Sequence, residues 1–247
     1  MRFLRGLPLI AAALLTLNVQ SHVTAPALSV LPGMPRVTVW AWQRREDLRS
    51  VDARTTAVAD LRRTIHLAGD TVVVEAQRNT LVLPVDAKRI AVIRIDSKDI
   101  PLTIASVEAV VDDAVNALQP GDRVLQVDFD AVKSQQGWYR ELLVELRRRM
   151  PHWMPLSITA LASWCTTDRW MGGLPVDEAV PMLFRMEPDH RRGARYDAAH
   201  ADPLCRASVG ISTLEAWPHG LAAQRVYIFP DRGWREDDLR ETVGELR

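Results

Sequence analysis

The sequence predicts an α/β protein whose strands close into a (β/α)8 TIM-like barrel, made irregular by several shortened helices. Three observations support this fold class. Eight short runs rich in β-branched and aromatic residues follow one another along the chain, and helical patterns lie between several of them. Strand–helix alternation favours a parallel sheet, and a count of eight favours a closed barrel over an open one. Neither GxGxxG nor GxxxxGKS/T occurs, which weakens the doubly wound nucleotide-binding alternative.

The predicted elements follow in chain order. Strands are predicted at residues 37–42, 71–75, 90–96, 124–130, 156–164, 179–185, 207–212 and 225–229, and helices at 52–67, 107–118, 137–150 and 236–246. The helix at 137–150 is the clearest, because Leu142, Leu146 and Met150 share one side. The crossovers after the fifth to seventh strands are poor in helical pattern, so we expect an irregular barrel.

Three regions divide the 247 residues. Residues 1–25 are predicted to be a signal peptide or N-terminal anchor, 26–35 a linker, and 36–247 a single barrel domain. Arg2 and Arg5 precede an apolar run that is short for a membrane span and is followed by small and polar residues, as in secretory signals. We therefore expect an exported, periplasmic protein. It would touch the inner membrane only through this segment, if the segment stays uncleaved.

Charge balance bears on the class of partner, and the two cysteines bear on a disulfide. The 31 basic and 31 acidic residues balance, so no nucleic-acid partner is expected, and a neutral partner such as a glycan suits the balance. Cys165 and Cys205 both lie in the exported part. An even count in an oxidising compartment predicts a disulfide, with two buried free thiols as the alternative. Neither cysteine has a partner at metal-ligand spacing, and no cofactor is predicted.

The strand at 124–130 is the strongest indication of a functional site. Three apolar residues in it alternate with Gln126, Asp128 and Asp130, so one face is polar. The carboxyl ends of barrel strands are where such folds keep their sites. We expect Asp130 nearest the mouth as catalytic acid or base, with Asp128 beside it and Gln126 as a substrate contact. The alternative is a helix-capping aspartate and a buried ion pair.

Two further strand ends carry charge. Arg94 and Asp96 share the polar face of the third predicted strand, where Arg94 would lower the pKa of a neighbouring carboxylate. Glu75 ends the second predicted strand. We include all three as candidate catalytic residues.

Tryptophan supplies candidate sugar platforms, since eight occur against four Phe and three Tyr. Trp40 and Trp42 share one face of the first strand, and Trp164 ends the fifth. Together with Arg185 at the end of the sixth strand, they are predicted substrate contacts, although packing is the alternative for each tryptophan.

Four stretches together carry a family resemblance. They are VWAWQRREDL at 39–48, QVDFDA at 126–131, LSITALASWC at 156–165 and LPVDEAVPMLFRM at 174–186. The chain resembles the bacterial family named domain of unknown function 3142. That family has no established activity, so the resemblance implies no particular chemistry.

A weaker similarity is to chitinase-like glycoside hydrolase barrels, whose fourth strand ends in D-x-D-x-E. Asp128 and Asp130 match the two aspartates, and Val132 stands where the family has its catalytic Glu. If the resemblance holds, another carboxylate must supply the acid. The candidates are Glu75, Asp96, Asp177 and Glu178.

These observations predict an exported barrel that acts on or binds carbohydrate at its carboxyl mouth, with a glycoside hydrolase as the candidate enzyme. The main alternative is a non-catalytic periplasmic binding or scaffold protein on a degenerate barrel, which the missing Glu favours. A third is a metal-dependent hydrolase that uses His190 and His200.

Overall fold

The computed structural model describes residues 31–98, 101–168, 170–184, 196–217 and 223–246. The predicted signal segment, residues 26–30 of the predicted linker, Arg185 and His190 lie outside the described residues. Within the described part, no helix is long and apolar enough to cross a membrane.

Eight parallel strands form a closed barrel. In chain order the strands of the structure are β1 (Val37–Ala41), β2 (Glu46–Asp47), β3 (Thr56–Ala68), β4 (Thr71–Ala76), β5 (Leu81–Val82), β6 (Arg89–Ser97), β7 (Asp122–Asp128), β8 (Leu156–Leu161), β9 (Glu178–Met182), β10 (Ser208–Ser212) and β11 (Arg225–Phe229). The barrel order is β1-β11-β10-β9-β8-β7-β6-β3, and β3 pairs back onto β1 to close it. β2 and β5 form a separate parallel pair.

Among the described residues, three α-helices accompany the strands: α1 (Ala105–Asn116) after β6, α2 (Gln136–Arg149) after β7 and α3 (Glu236–Gly244) after β11. A short π-helical segment, Trp164–Asp168, follows β8. The protein is thus an α/β barrel in which strands dominate. The predicted helices at 107–118, 137–150 and 236–246 correspond to α1, α2 and α3.

The helix predicted at 52–67 is wrong, because Thr56–Ala68 is β3, the second strand of the barrel. Ala57, Val58, Ala59 and Leu61 are all buried. A strand buried on both faces reads as a continuous apolar run that periodicity cannot separate from a buried helix. Two errors cancel in the predicted count of eight parallel strands. The prediction omits β3, which belongs to the barrel, and includes the segment at 71–75, which does not.

Strand β4 instead forms an antiparallel hairpin with the last half of β3. The first half of β3 pairs with β1 and the second half, Arg63–Ala68, with β4. Gly69, with φ at 60°, makes the tight turn between them. The hairpin therefore continues the barrel wall beyond the carboxyl end of β1.

Side chains alternate between the two sides of the wall. Outward residues such as Ile93 and Val127 pack with Leu142 and Leu146 of α2. Inward residues build the barrel core, which contains Trp40. A third apolar group joins α3 to β1, β10 and β11.

A buried polar network crosses the amino-terminal half of the interior. Glu178 has no exposed surface and forms an ion pair with Arg225. It also accepts hydrogen bonds from Ser157 at 2.8 Å, from Tyr227 at 2.7 Å and from Ser208. Through this one carboxylate the strands β8, β9, β10 and β11 are cross-linked.

The predicted disulfide is present. Cys165 and Cys205 are bonded, with their Cα atoms 5.9 Å apart. The bond joins the π-helical segment after β8 to a 3₁₀ turn, Pro203–Cys205, that precedes β10.

Candidate functional site

A pocket of about 150 Å³ lies at the carboxyl ends of β6 and β7. It is lined by Arg94, Ile95, Asp96, Ser97, Asp128, Phe129 and Asp130. Four of the five predicted catalytic residues therefore meet here, in what we call the Arg94 pocket. Parallel pairing explains the meeting, because Arg94 lies opposite Asp128 in the register of the two strands.

Arg94 is the centre of the pocket. Its Nε donates to Asp96 Oδ1 at 3.0 Å and its Nη1 to Asp128 Oδ2 at 3.0 Å. Burial opposes its charge, but the carboxylates of Asp128, Asp96 and Asp130 outweigh that effect and raise the pKa of the guanidinium. Arg94 is thus a permanent cation shared by carboxylates from two strands.

Asp128 is buried beneath this cation, with 5% of its surface exposed. Its Oδ1 accepts a hydrogen bond from Thr159 of β8 at 2.7 Å. Burial raises the pKa of Asp128, and Arg94 and Thr159 only partly oppose the rise. Because both oxygens already have protein partners, the geometry suits Asp128 to positioning Arg94.

Asp130 is exposed and lies just beyond the end of β7. Val132, also exposed, follows it, and its backbone N–H donates to Gln135 Oε1 at 3.1 Å. This contact opens the 3₁₀ turn Lys133–Gln135 that leads into α2. The structure therefore has an accessible carboxylate at Asp130 and an apolar side chain at Val132.

The sequence predicts Glu75 at the end of a barrel strand. In the structure it lies on the hairpin strand β4 instead. It is still joined to the pocket, through His66 of β3. His66 Nε2 lies 3.7 Å from Glu75 Oε2, and His66 Nδ1 lies 3.8 Å from Asp96 Oδ2. Sequence reasoning missed His66 because its segment was assigned to a helix.

Trp42 lies at the edge of the Arg94 pocket. The Arg94 guanidinium carbon is 5.9 Å from the centre of its ring, a cation–π distance. Its indole N–H donates to the Pro230 carbonyl at 3.0 Å, which fixes the ring orientation. The ring is half-buried, so part of it remains available to a ligand.

Three predicted substrate contacts lie elsewhere. Trp40 is fully buried in the barrel core, where its ring packs on Phe229. Trp164 packs outside the barrel against Trp170, and 2% of its surface is exposed. Gln126 is fully buried and donates to Ser157 at 2.9 Å. Burial removes all three from the surface that a ligand at the mouth would touch.

Two other candidates for the catalytic acid, Asp177 and Glu178, do not lie at the mouth. Glu178 is committed to the interior network described above. Asp177 lies just before β9, at the amino-terminal end of the barrel, where it accepts from Arg147 at 2.5 Å and from the backbone N–H of Leu156 at 2.8 Å. Neither residue faces the Arg94 pocket.

For the hypothesis of a metal-dependent hydrolase, the structure places only one of the two histidines, since His190 lies outside the described residues. His200 is exposed and its Nδ1 lies 2.7 Å from Asp197 Oδ2. Among the residues that the structure describes, no group of three or more His, Cys, Asp or Glu side chains is arranged to hold a metal ion.

The fold and the pocket together define a class: a closed parallel α/β barrel with a charged pocket at the carboxyl ends of its strands. Comparison with protein-family models, with curated proteins and with solved structures gave no match.

Proposed function

We propose that the protein is an exported, glycoside-hydrolase-like barrel that binds or acts on carbohydrate in the Arg94 pocket. One observation carries the proposal. Arg94 and three aspartates from two adjacent strand ends line one accessible depression, and the half-buried ring of Trp42 lies beside the Arg94 guanidinium. Paired carboxylates beside an aromatic ring supply the hydrogen bonds and the apolar face that a sugar needs.

We further propose that the barrel is a reduced (β/α)8 TIM barrel. The support is the closed ring of eight parallel strands and the helices that follow β6, β7 and β11. The position of the pocket at the carboxyl ends of the strands agrees with where such barrels keep their sites.

In the hydrolytic form of the proposal, Asp130 acts as the acid or base. Asp130 is exposed, whereas Asp128 is enclosed by Arg94 and Thr159. Asp96, on the other side of Arg94, is the candidate second carboxylate. One group would protonate the glycosidic oxygen while the other assists attack at the anomeric carbon. Glu75 and His66 would contact the ligand from the hairpin.

Asp130→Asn tests the catalytic form. On any glycan that the wild type cleaves, we expect kcat to fall by about 10²- to 10⁴-fold, because the amide cannot transfer a proton. Asp237→Asn is the matched control, since Asp237 is an exposed carboxylate on α3. Unchanged cleavage by folded Asp130→Asn would reject Asp130 as the acid or base.

The second candidate is a non-catalytic carbohydrate-binding protein, and Val132 favours it. The exposed valine stands two residues after Asp130, where a chitinase-like barrel has its acid. For this function we expect wild type and Asp130→Asn to bind the same glycan with no release of reducing ends. Release of reducing ends by wild type alone would select the enzyme.

Export is proposed on two grounds: the signal-like pattern of residues 1–25 and the disulfide, which is typical of oxidising compartments. Cell fractionation with intact-mass measurement of the recovered protein tests export. Recovery from the cytoplasm with two free thiols would contradict it.

A further inference from the structure

A second depression, larger than the Arg94 pocket, opens at the same end of the barrel. It encloses about 340 Å³ and lies between the ends of β10 and β11 and one side of α3. We call it the Trp234 pocket. Its lining includes Thr213, Pro230, Trp234, Glu241 and Thr242.

The walls of the Trp234 pocket are fixed by hydrogen bonds. The indole N–H of Trp234 donates to the Trp40 carbonyl at 2.8 Å, which holds the half-buried ring. The backbone N–H of Asp231 donates to Thr213 Oγ1 at 3.0 Å, so the loops after β10 and β11 are tied together. The pocket is therefore a feature of two linked strand ends and not of one free loop.

Trp42 connects the two pockets. Its ring contacts the Arg94 guanidinium on one side, and its indole N–H binds the carbonyl of Pro230, which lines the Trp234 pocket. The two depressions thus lie at one mouth with a single tryptophan between them.

Like the Arg94 pocket, the Trp234 pocket is lined by an arginine and aspartates, here Arg232 with Asp231 and Asp238. It offers an aromatic ring, hydroxyls at Thr213 and Thr242, and the carboxylate of Glu241. An indole face with hydroxyl and carboxylate acceptors around it is suited to a sugar ring, whose faces are apolar and whose edge carries hydroxyls.

We propose that the Trp234 pocket is a second subsite, and that the ligand is an oligosaccharide that spans both pockets across Trp42. This inference rests on the proposed carbohydrate function and deepens it, because it makes the ligand a glycan chain of several units and not a single sugar.

Calorimetric titration with β-1,4-linked glucose and N-acetylglucosamine oligomers of two and six units tests the proposal. We expect wild type to bind one of the hexamers at least tenfold more tightly than its dimer, because the longer chain reaches the second subsite. Thr242→Trp, which fills the Trp234 pocket, should lower hexamer affinity to that of the dimer and leave dimer affinity unchanged. Glu241→Gln, a variant without added bulk, should weaken hexamer binding alone.

The controls separate the two proposals. Glu245→Gln removes an exposed carboxylate one turn further along, outside the pocket, and should change neither affinity. Equal dimer and hexamer affinity in wild type would overturn the second subsite and leave the Arg94 pocket standing. Equal loss of both affinities in folded Thr242→Trp would show that the dimer itself occupies the Trp234 pocket, and would overturn a subsite that only the longer chain reaches. No binding of any oligomer at millimolar concentration would overturn the proposed function for these glycans and the subsite with it.

Discussion

At the scale of single residues, strand alternation was enough to predict which charged side chains meet in the Arg94 pocket. Arg94, Asp96, Asp128 and Asp130 were all placed on polar faces at strand ends, and all four line one pocket. Alternation says nothing about burial depth, however. Gln126 lies on the same face as Asp128 yet is fully enclosed, because a barrel interior is closed below its mouth.

Glu46 shows a residue-scale property that the sequence did not reveal. Its side chain is 1% exposed, and within the described part of the chain neither of its carboxylate oxygens has a hydrogen-bond partner. Arg44 Nε lies 3.9 Å away, and Glu46 packs beside Gly233 of the loop that forms the Trp234 pocket. Burial raises the pKa of Glu46 from 4.5 to about 7, although Arg44 partly opposes the rise.

The raised pKa of Glu46 predicts a specific dependence of stability on pH. Between pH 4.5 and about 7 the folded protein holds this proton and the unfolded chain does not. The free energy of unfolding should therefore fall as pH rises through that window, by about 3 kcal/mol at most. Glu46→Gln should remove this component from denaturant unfolding curves measured at pH 5 and pH 7.5.

Glu245→Gln is the control for that experiment, since it removes an exposed carboxylate of the same type. It should retain the wild-type difference between the two pH values. If Glu46→Gln and Glu245→Gln show the same pH dependence as wild type, Glu46 is not the group responsible.

At the scale of elements, the amphipathic helices were predictable and the long strand β3 was not. α2 shows a one-sided apolar pattern that packing on the barrel wall requires. β3 lacks alternation because both of its faces are buried in its first half. A local signal was present: Gly69-Asp70 separates two β-compatible runs by two residues, which is a hairpin pattern.

The disulfide is an element-scale device, because it ties the segment after β8 to the turn before β10 across 40 residues. We expect the double variant Cys165→Ala with Cys205→Ala to lose about 2–4 kcal/mol of unfolding free energy, since the loop is no longer closed in the unfolded chain. Urea midpoints measured with and without reductant check this. Reductant should lower the midpoint of wild type and leave that of the double variant unchanged. A wild-type urea midpoint that reductant does not change would contradict a stabilising role for the disulfide.

At the scale of the whole molecule, closure of the barrel depends on contacts that no single segment encodes. β1 pairs with both β3 and β11, which are far apart in sequence. The interior network around Glu178 joins four strands, and its partners are visible only once the strands are in register. Seven of the eight barrel strands were therefore predictable from the sequence, whereas β3, which closes the barrel, and the partners of the interior charges were not.

The interior ion pair gives a prediction at this scale. Arg225 is 2% exposed, so Arg225→Met leaves the Glu178 carboxylate buried without its cation and should cost about 3–5 kcal/mol of unfolding free energy. Adding Glu178→Gln should recover part of the loss, because the unpaired charge is removed. Thermal unfolding of both variants measures the recovery. A double variant no more stable than Arg225→Met alone would show that the ion pair is not the cause.

The central claim is that carbohydrate binds at the mouth beside Trp42. The eight tryptophans allow a direct measurement, because each indole N–H gives its own signal in a ¹H–¹⁵N NMR spectrum, assigned by single Trp→Phe variants. On titration with a glycan oligomer, we predict that the Trp42 signal shifts and that the Trp234 signal shifts with hexamers. The signals of Trp138 and Trp164, buried outside the barrel, should stay in place. Shifts at Trp138 or Trp164 with an unchanged Trp42 signal would contradict the claim.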